Sequence, residues 1–113
     1  MERRQHRRKH ISVELDIHSR VGSCSGRVCN MSLHDMFLTL DSGIAPGEDE
    51  QLTIAFSILT GRHLFSRQAS GTVVRVSDEG VAIRFTQRDL MTRGVIEEVM
   101  YYVDLAAQCE KAA

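Results

Sequence analysis

The chain of 113 residues has no tryptophan, two tyrosines and four phenylalanines, so it offers few rings on which nucleobases could stack. That scarcity disfavours a barrel built to hold single-stranded nucleic acid, which relies on aromatic platforms. Its unbroken apolar runs are only a few residues long, too short to span a membrane as a helix. Arg and Lys stand where a secretory signal would carry its apolar segment, so the expectation is a cytoplasmic protein without membrane insertion. The three cysteines, Cys24, Cys29 and Cys109, form no C-x-x-C pair. A disulfide framework and a four-thiolate zinc site are thereby excluded. His6 and His10 are four apart but sit among cations that oppose a metal dication; no metal or cofactor is expected.

Catalytic signatures are missing too. No G-x-S-x-G, H-E-x-x-H or P-loop occurs. Asp41, Glu48, Asp49, Glu50, Asp78 and Glu79 fall in turn-forming segments, where solvation accounts for them. The expectation is a protein that is not an enzyme.

What is present is a single domain, residues 1–113, with 42% apolar residues and a net charge of −1. The near-neutral total hides an asymmetry. Residues 1–10 carry five Lys/Arg and one Glu, a net +4, and the rest carries nine Lys/Arg and fourteen Asp/Glu, a net −5. A cationic arm on an acidic body suits a small anion and repels a long polyanion, so DNA and RNA are not expected partners. Without apolar periodicity, residues 1–10 read as a flexible basic arm.

Ile11, Val13, Leu15 and Ile17 alternate with polar residues, the two-residue period of a half-buried strand. A second strand is expected from about Ser25 to Asn30, and a third through Met36–Leu40. Leu52, Ile54, Phe56 and Ile58 mark a fourth; a fifth is clearest from Ala69 to Val76; Val81, Ile83 and Phe85 mark a sixth. From Thr86 the period changes. Thr86 reads as a hydroxyl cap with Asp89 three residues on, and Ile96, Val99, Met100, Val103 and Ala107 form a helical stripe. The expected architecture is all-β with a terminal helix: a six-stranded antiparallel barrel over 11–86 and a C-terminal helix over 87–108.

Two motifs stand out against this pattern. Arg4-Gln5-His6-Arg7-Arg8 is R-x-x-x-R ahead of the first strand, with Arg3 doubling the first arginine and Arg3/Arg7 repeating the spacing. Asn30-Met31-Ser32 follows the second strand. Together with Ser25-Gly26-Arg27-Val28, Gly71–Val76 and Gly80–Phe85, they make nearly the whole chain resemble the PilZ domain, the bacterial receptor module for the second messenger cyclic di-GMP. The family signatures are R-x-x-x-R and [D/N]-x-S-x-x-G; here Asp35 occupies the final glycine position.

The resemblance implies a cyclic di-GMP site formed by Arg3, Arg4, Arg8, Asn30 and Ser32, with Arg7, Asp35, Arg75 and Arg84 as supporting candidates. Guanidinium groups fork onto phosphates or the guanine O6/N7 edge and stack on purines. Asn30 and Ser32 offer oxygens to guanine N–H groups. Aspartate tolerates left-handed backbone, so the turn survives the loss of the glycine. Arg3, preceding R-x-x-x-R, implies capture of two stacked ligand molecules. The implied function is a receptor or adaptor that changes conformation on binding and signals to a partner protein. The alternative is a PilZ-like protein-interaction module that does not bind cyclic di-GMP.

Overall fold

The computed structural model describes residues 11–86 and 89–112, with the helix side chains followed through Gln108. The arginine arm, and with it Arg3, Arg4, Arg7 and Arg8, lies outside the described residues. Among the described residues six strands are present: β1 (Ile11–His18), β2 (Ser23–Met31), β3 (Asp35–Gly43), β4 (Gln51–Thr60), β5 (His63–Ser77) and β6 (Gly80–Phe85). They close into an antiparallel barrel in the order β1-β2-β3-β6-β5-β4, followed by one helix, α1 (Leu90–Ala112). Closure leaves no free sheet edge, which is how a domain of six strands avoids edge-to-edge association.

The barrel forms because period-two apolar residues from every strand meet inside it. Leu15 and Ile17, Met36 and Leu38, Leu52 to Ile58 on even positions, Val73, Val81, Ile83 and Phe85 are all buried. Cys24 belongs to the same core, and burial, then the Asp16 carboxylate, push its thiol pKa up. It is held as the neutral thiol and packs as a small apolar residue. β4 and β5 form a long hairpin in which Thr60 pairs with His63. Gly61, at φ 62°, supplies the left-handed first position of that two-residue loop.

α1 packs against β1, β5 and β4 through buried Ile96 and Val99, with Met100 and Val103 half-buried beside them. Ala107, expected in the apolar stripe, is exposed. A polar clamp fixes the helix orientation. Arg67 on β5 donates from Nε to Glu98 Oε1 at 2.8 Å and from Nη2 to Oε2 at 3.3 Å. Its guanidinium lies 4.9 Å from the centroid of Phe65, whose ring meets Tyr102 edge-on. The forked geometry gives this half-exposed pair more directional value than a single surface contact.

The helix cap differs from the sequence expectation. The Thr86 amide donates to the Ser70 carbonyl at 3.0 Å, so Thr86 continues the strand ladder. Asp89 is the cap: its Oδ1 accepts from the Thr92 amide at 2.8 Å, and its carbonyl accepts the first helical bond from Arg93. The Thr92 amide and hydroxyl hold the Asp89 carboxyl below its ordinary pKa. A folded-state pKa below the unfolded value adds stability that is fully present above the unfolded pKa and lost as pH falls through the folded one. Asp89→Asn keeps a capping oxygen but does not titrate. The stability difference between wild type and this variant, measured by urea midpoint, is therefore expected to move against wild type as pH drops through the acid carboxylate range.

Candidate ligand-binding face

The outer face of β2, β3, β6 and β5 gathers the sequence-singled residues that lie within the described chain. Its centre is the β3–β6 pair, with Asp35 opposite Arg84 and Phe37 opposite Ala82. On one flank, β2 shifts register between Val28 and Asn30, leaving Cys29 as the extra residue of a bulge. On the other, β5 shifts between Val73 and Arg75, with Val74 as the extra residue. Each bulge reverses the in–out alternation of its strand. Val28 packs on the core and Val73 is buried, yet Asn30 and Arg75, two residues further on, come out exposed.

A cross-strand row results: Asn30 pairs with Phe37, Phe37 with Ala82, and Ala82 with Arg75. Three interstrand steps make it about 14 Å wide, enough to seat a ligand of nucleotide size. The small Ala82 leaves the middle low. Phe37, half-buried, lies over Gly80, where an added Cβ would strike the Leu38 carbonyl and come 3.0 Å from the Phe37 ring. Gly80 thus lets the ring settle onto the barrel wall. Beside it runs a second row, with Arg84 paired to Asp35 on one side and Thr72 on the other. An open depression of about 500 Å³ adjoins Arg84, lined also by Asp49, Thr72, Val74 and Thr86.

The residues of this face differ in how free they are. Ser32 builds the turn: its hydroxyl accepts from the amides of His34 at 3.2 Å and Asp35 at 3.1 Å. The Ser32 amide donates to the Asp35 carbonyl at 2.8 Å. With both lone pairs facing backbone amides, the hydroxyl shapes the loop that presents Asn30. Asn30 itself makes no side-chain hydrogen bond among the described residues, and Arg75 forms no ion pair there. Arg84 is engaged, donating from Nε to Asp35 Oδ1 at 3.0 Å.

Asp35 needs no left-handed backbone. Among the described residues Asp49 is the non-glycine with positive φ, at 68°, while Asp35 opens β3 in extended conformation. The glycine position of the signature is thus occupied without strain, and its carboxylate points to Arg84. That contact links residues 49 apart in sequence, and no local pattern signals it. Among the described residues no group of three or more His, Cys, Asp or Glu is placed to hold a metal ion.

The signature turn, the barrel and the closing helix agree with comparison to known families. The model of the PilZ domain matches residues 2–102. The chain belongs to the PilZ domain family. PilZ domains are cyclic di-GMP-binding modules, binding and adaptor units rather than enzymes. A search of curated proteins finds no match to the chain. No described helix of this PilZ domain is long and apolar enough to cross a membrane.

The division between scaffold and free groups within the signature is testable. Ser32→Ala is expected to destabilise the fold by about 0.5–1.5 kcal/mol, the worth of lost turn hydrogen bonds. Asn30→Ala is expected to stay within about 0.5 kcal/mol of wild type, as for an exposed side chain without partners among the described residues. Urea unfolding at constant m-value reads both.

Proposed function

We propose that this PilZ domain is a cytoplasmic cyclic di-GMP receptor that changes conformation on binding and passes the new surface to a partner protein. The observation that carries the reading is the outward face that carries Asn30, Arg75 and Arg84 beside the signature turn, in a chain whose arm holds R-x-x-x-R. The ligand brings two phosphodiester anions and two guanines. Asn30, turned out by the Cys29 bulge, offers its carbonyl oxygen to guanine N–H groups, and Ser32 holds the turn in shape. Arg4 and Arg8 supply guanidinium groups that fork onto phosphate or guanine O6/N7. Arg7, Arg75 and Arg84 add positive charge around it.

Arg3 adds a further guanidinium, and a stacked pair of ligands carries four phosphate charges. Two cyclic di-GMP molecules per chain are therefore part of this proposal. The ligand needs no additional cofactor, and neither nucleic acid nor membrane is a partner in this reading.

Calorimetric titration of the full chain with cyclic di-GMP tests it. Arg4→Ala and Arg8→Ala are each expected to weaken binding at least about tenfold, as for a lost charged hydrogen bond. A wild-type ratio near two ligands per chain is expected, falling toward one in Arg3→Ala. Unchanged affinity in both arm variants would remove the arm from the site. No heat at millimolar ligand would favour the module that binds protein alone.

A further inference from the structure

We propose that Asp35 sets the affinity of this face for its anionic ligand by holding Arg84 in an ion pair that competes with a bound phosphate for the guanidinium. The inference rests on the cyclic di-GMP reading above and names the residue that tunes it. Three observations converge on it. Asp35 stands at the signature position where the family carries glycine, so this chain has placed a carboxylate in the binding turn. The carboxylate reaches across the β3–β6 ladder to its register partner, Oδ1 to Arg84 Nε at 3.0 Å. Both side chains are more than half exposed, at 53% and 56%, so the pair sits at the surface where ligand would arrive rather than in the core.

The consequence is electrostatic. Arg84 and Arg75 lie on neighbouring strands of one face, and together they would present two positive charges to a dianion. Asp35 cancels one of them. Among the described residues, the other charged groups on this side are Asp49, which lines the adjoining depression, and Arg75 on the neighbouring strand; Arg27 and Asp41 pair with each other at 3.5 Å further along β2 and β3. Arg84 uses only Nε on Asp35 in the described contacts, so its Nη atoms remain open to an incoming phosphate. A side-on fork through Nε and Nη2 needs release from Asp35, and an end-on fork through the two Nη atoms shares the guanidinium with it, so in either mode the carboxylate competes with the phosphate. An exposed pair is weak enough to be exchanged and strong enough to shift an equilibrium severalfold. A receptor so arranged responds at a higher ligand concentration than one with glycine at this position.

Calorimetry with cyclic di-GMP on wild type, Asp35→Asn, Arg84→Gln and the double variant decides the matter. Asparagine keeps the volume and an acceptor oxygen at position 35 and removes only the charge. Asp35→Asn is expected to bind about two- to fivefold more tightly than wild type at low ionic strength. The gain should shrink in high salt and vanish when Arg84 is also replaced. A gain that persists without Arg84 would overturn the proposal, because simple repulsion would then suffice. Weaker binding in Asp35→Asn would overturn it as well, assigning the carboxylate to guanine N–H instead. If wild type binds and Asp35→Asn binds equally, the proposal falls while the cyclic di-GMP reading stands. If none of the four proteins binds at millimolar ligand, both fall.

Discussion

The pairing of β3 with β6 is the constraint on which the rest of this molecule depends. It closes the barrel between two strands far apart in sequence and fixes Asp35 opposite Arg84 and Phe37 opposite Ala82. A slip of one residue would send Met36, Leu38, Val81 and Ile83 outward, so the buried core enforces the register. The strand residues of the outer face inherit that precision from the core. Its polar residues are placed by apolar ones behind them, which leaves the face free to be chosen for binding.

The bulges extend the same logic to the flanking strands. An unbulged β2 would point Asn30 to the same side as Val28, and an unbulged β5 would point Arg75 to the same side as Val73. One extra residue in each strand, Cys29 and Val74, turns a polar side chain out of the barrel and into line with Phe37 and Ala82. The cost falls on Cys29 and Val74, which are left exposed. That expense is small beside burying an amide or a guanidinium in an apolar core.

Much of this was legible in the sequence because half-buried strands must alternate. Ile11–Ile17 and Leu52–Ile58 declare their strands, and Ile96 and Val99 declare the helix face that docks. The helix start was harder to read, since Thr86 and Asp89 are both good capping residues; the tie is broken by Thr86 bonding to Ser70 across the ladder. The site was legible only in part. Asn30-Met31-Ser32 marks the turn, but the different duties of its members follow from lone-pair geometry at Ser32. Nothing near Asp35 or Arg84 in the chain announces their contact, because barrel closure brings them together. The bulges are likewise silent, being set by how neighbouring strands fit rather than by local residue preference.

The central claim is that the outward face of β2, β3, β6 and β5 receives the ligand. Backbone amide chemical shifts of the isotope-labelled full chain, followed during titration with cyclic di-GMP, test it most directly. The account predicts that the largest shifts among the described residues map to the Asn30–Asp35 turn, Phe37, Ala82, Arg75 and Arg84, with α1 beyond Ile96 little changed. Shifts centred instead on the exposed side of α1 or on the β4–β5 hairpin tip, with the β3–β6 face silent, would contradict it.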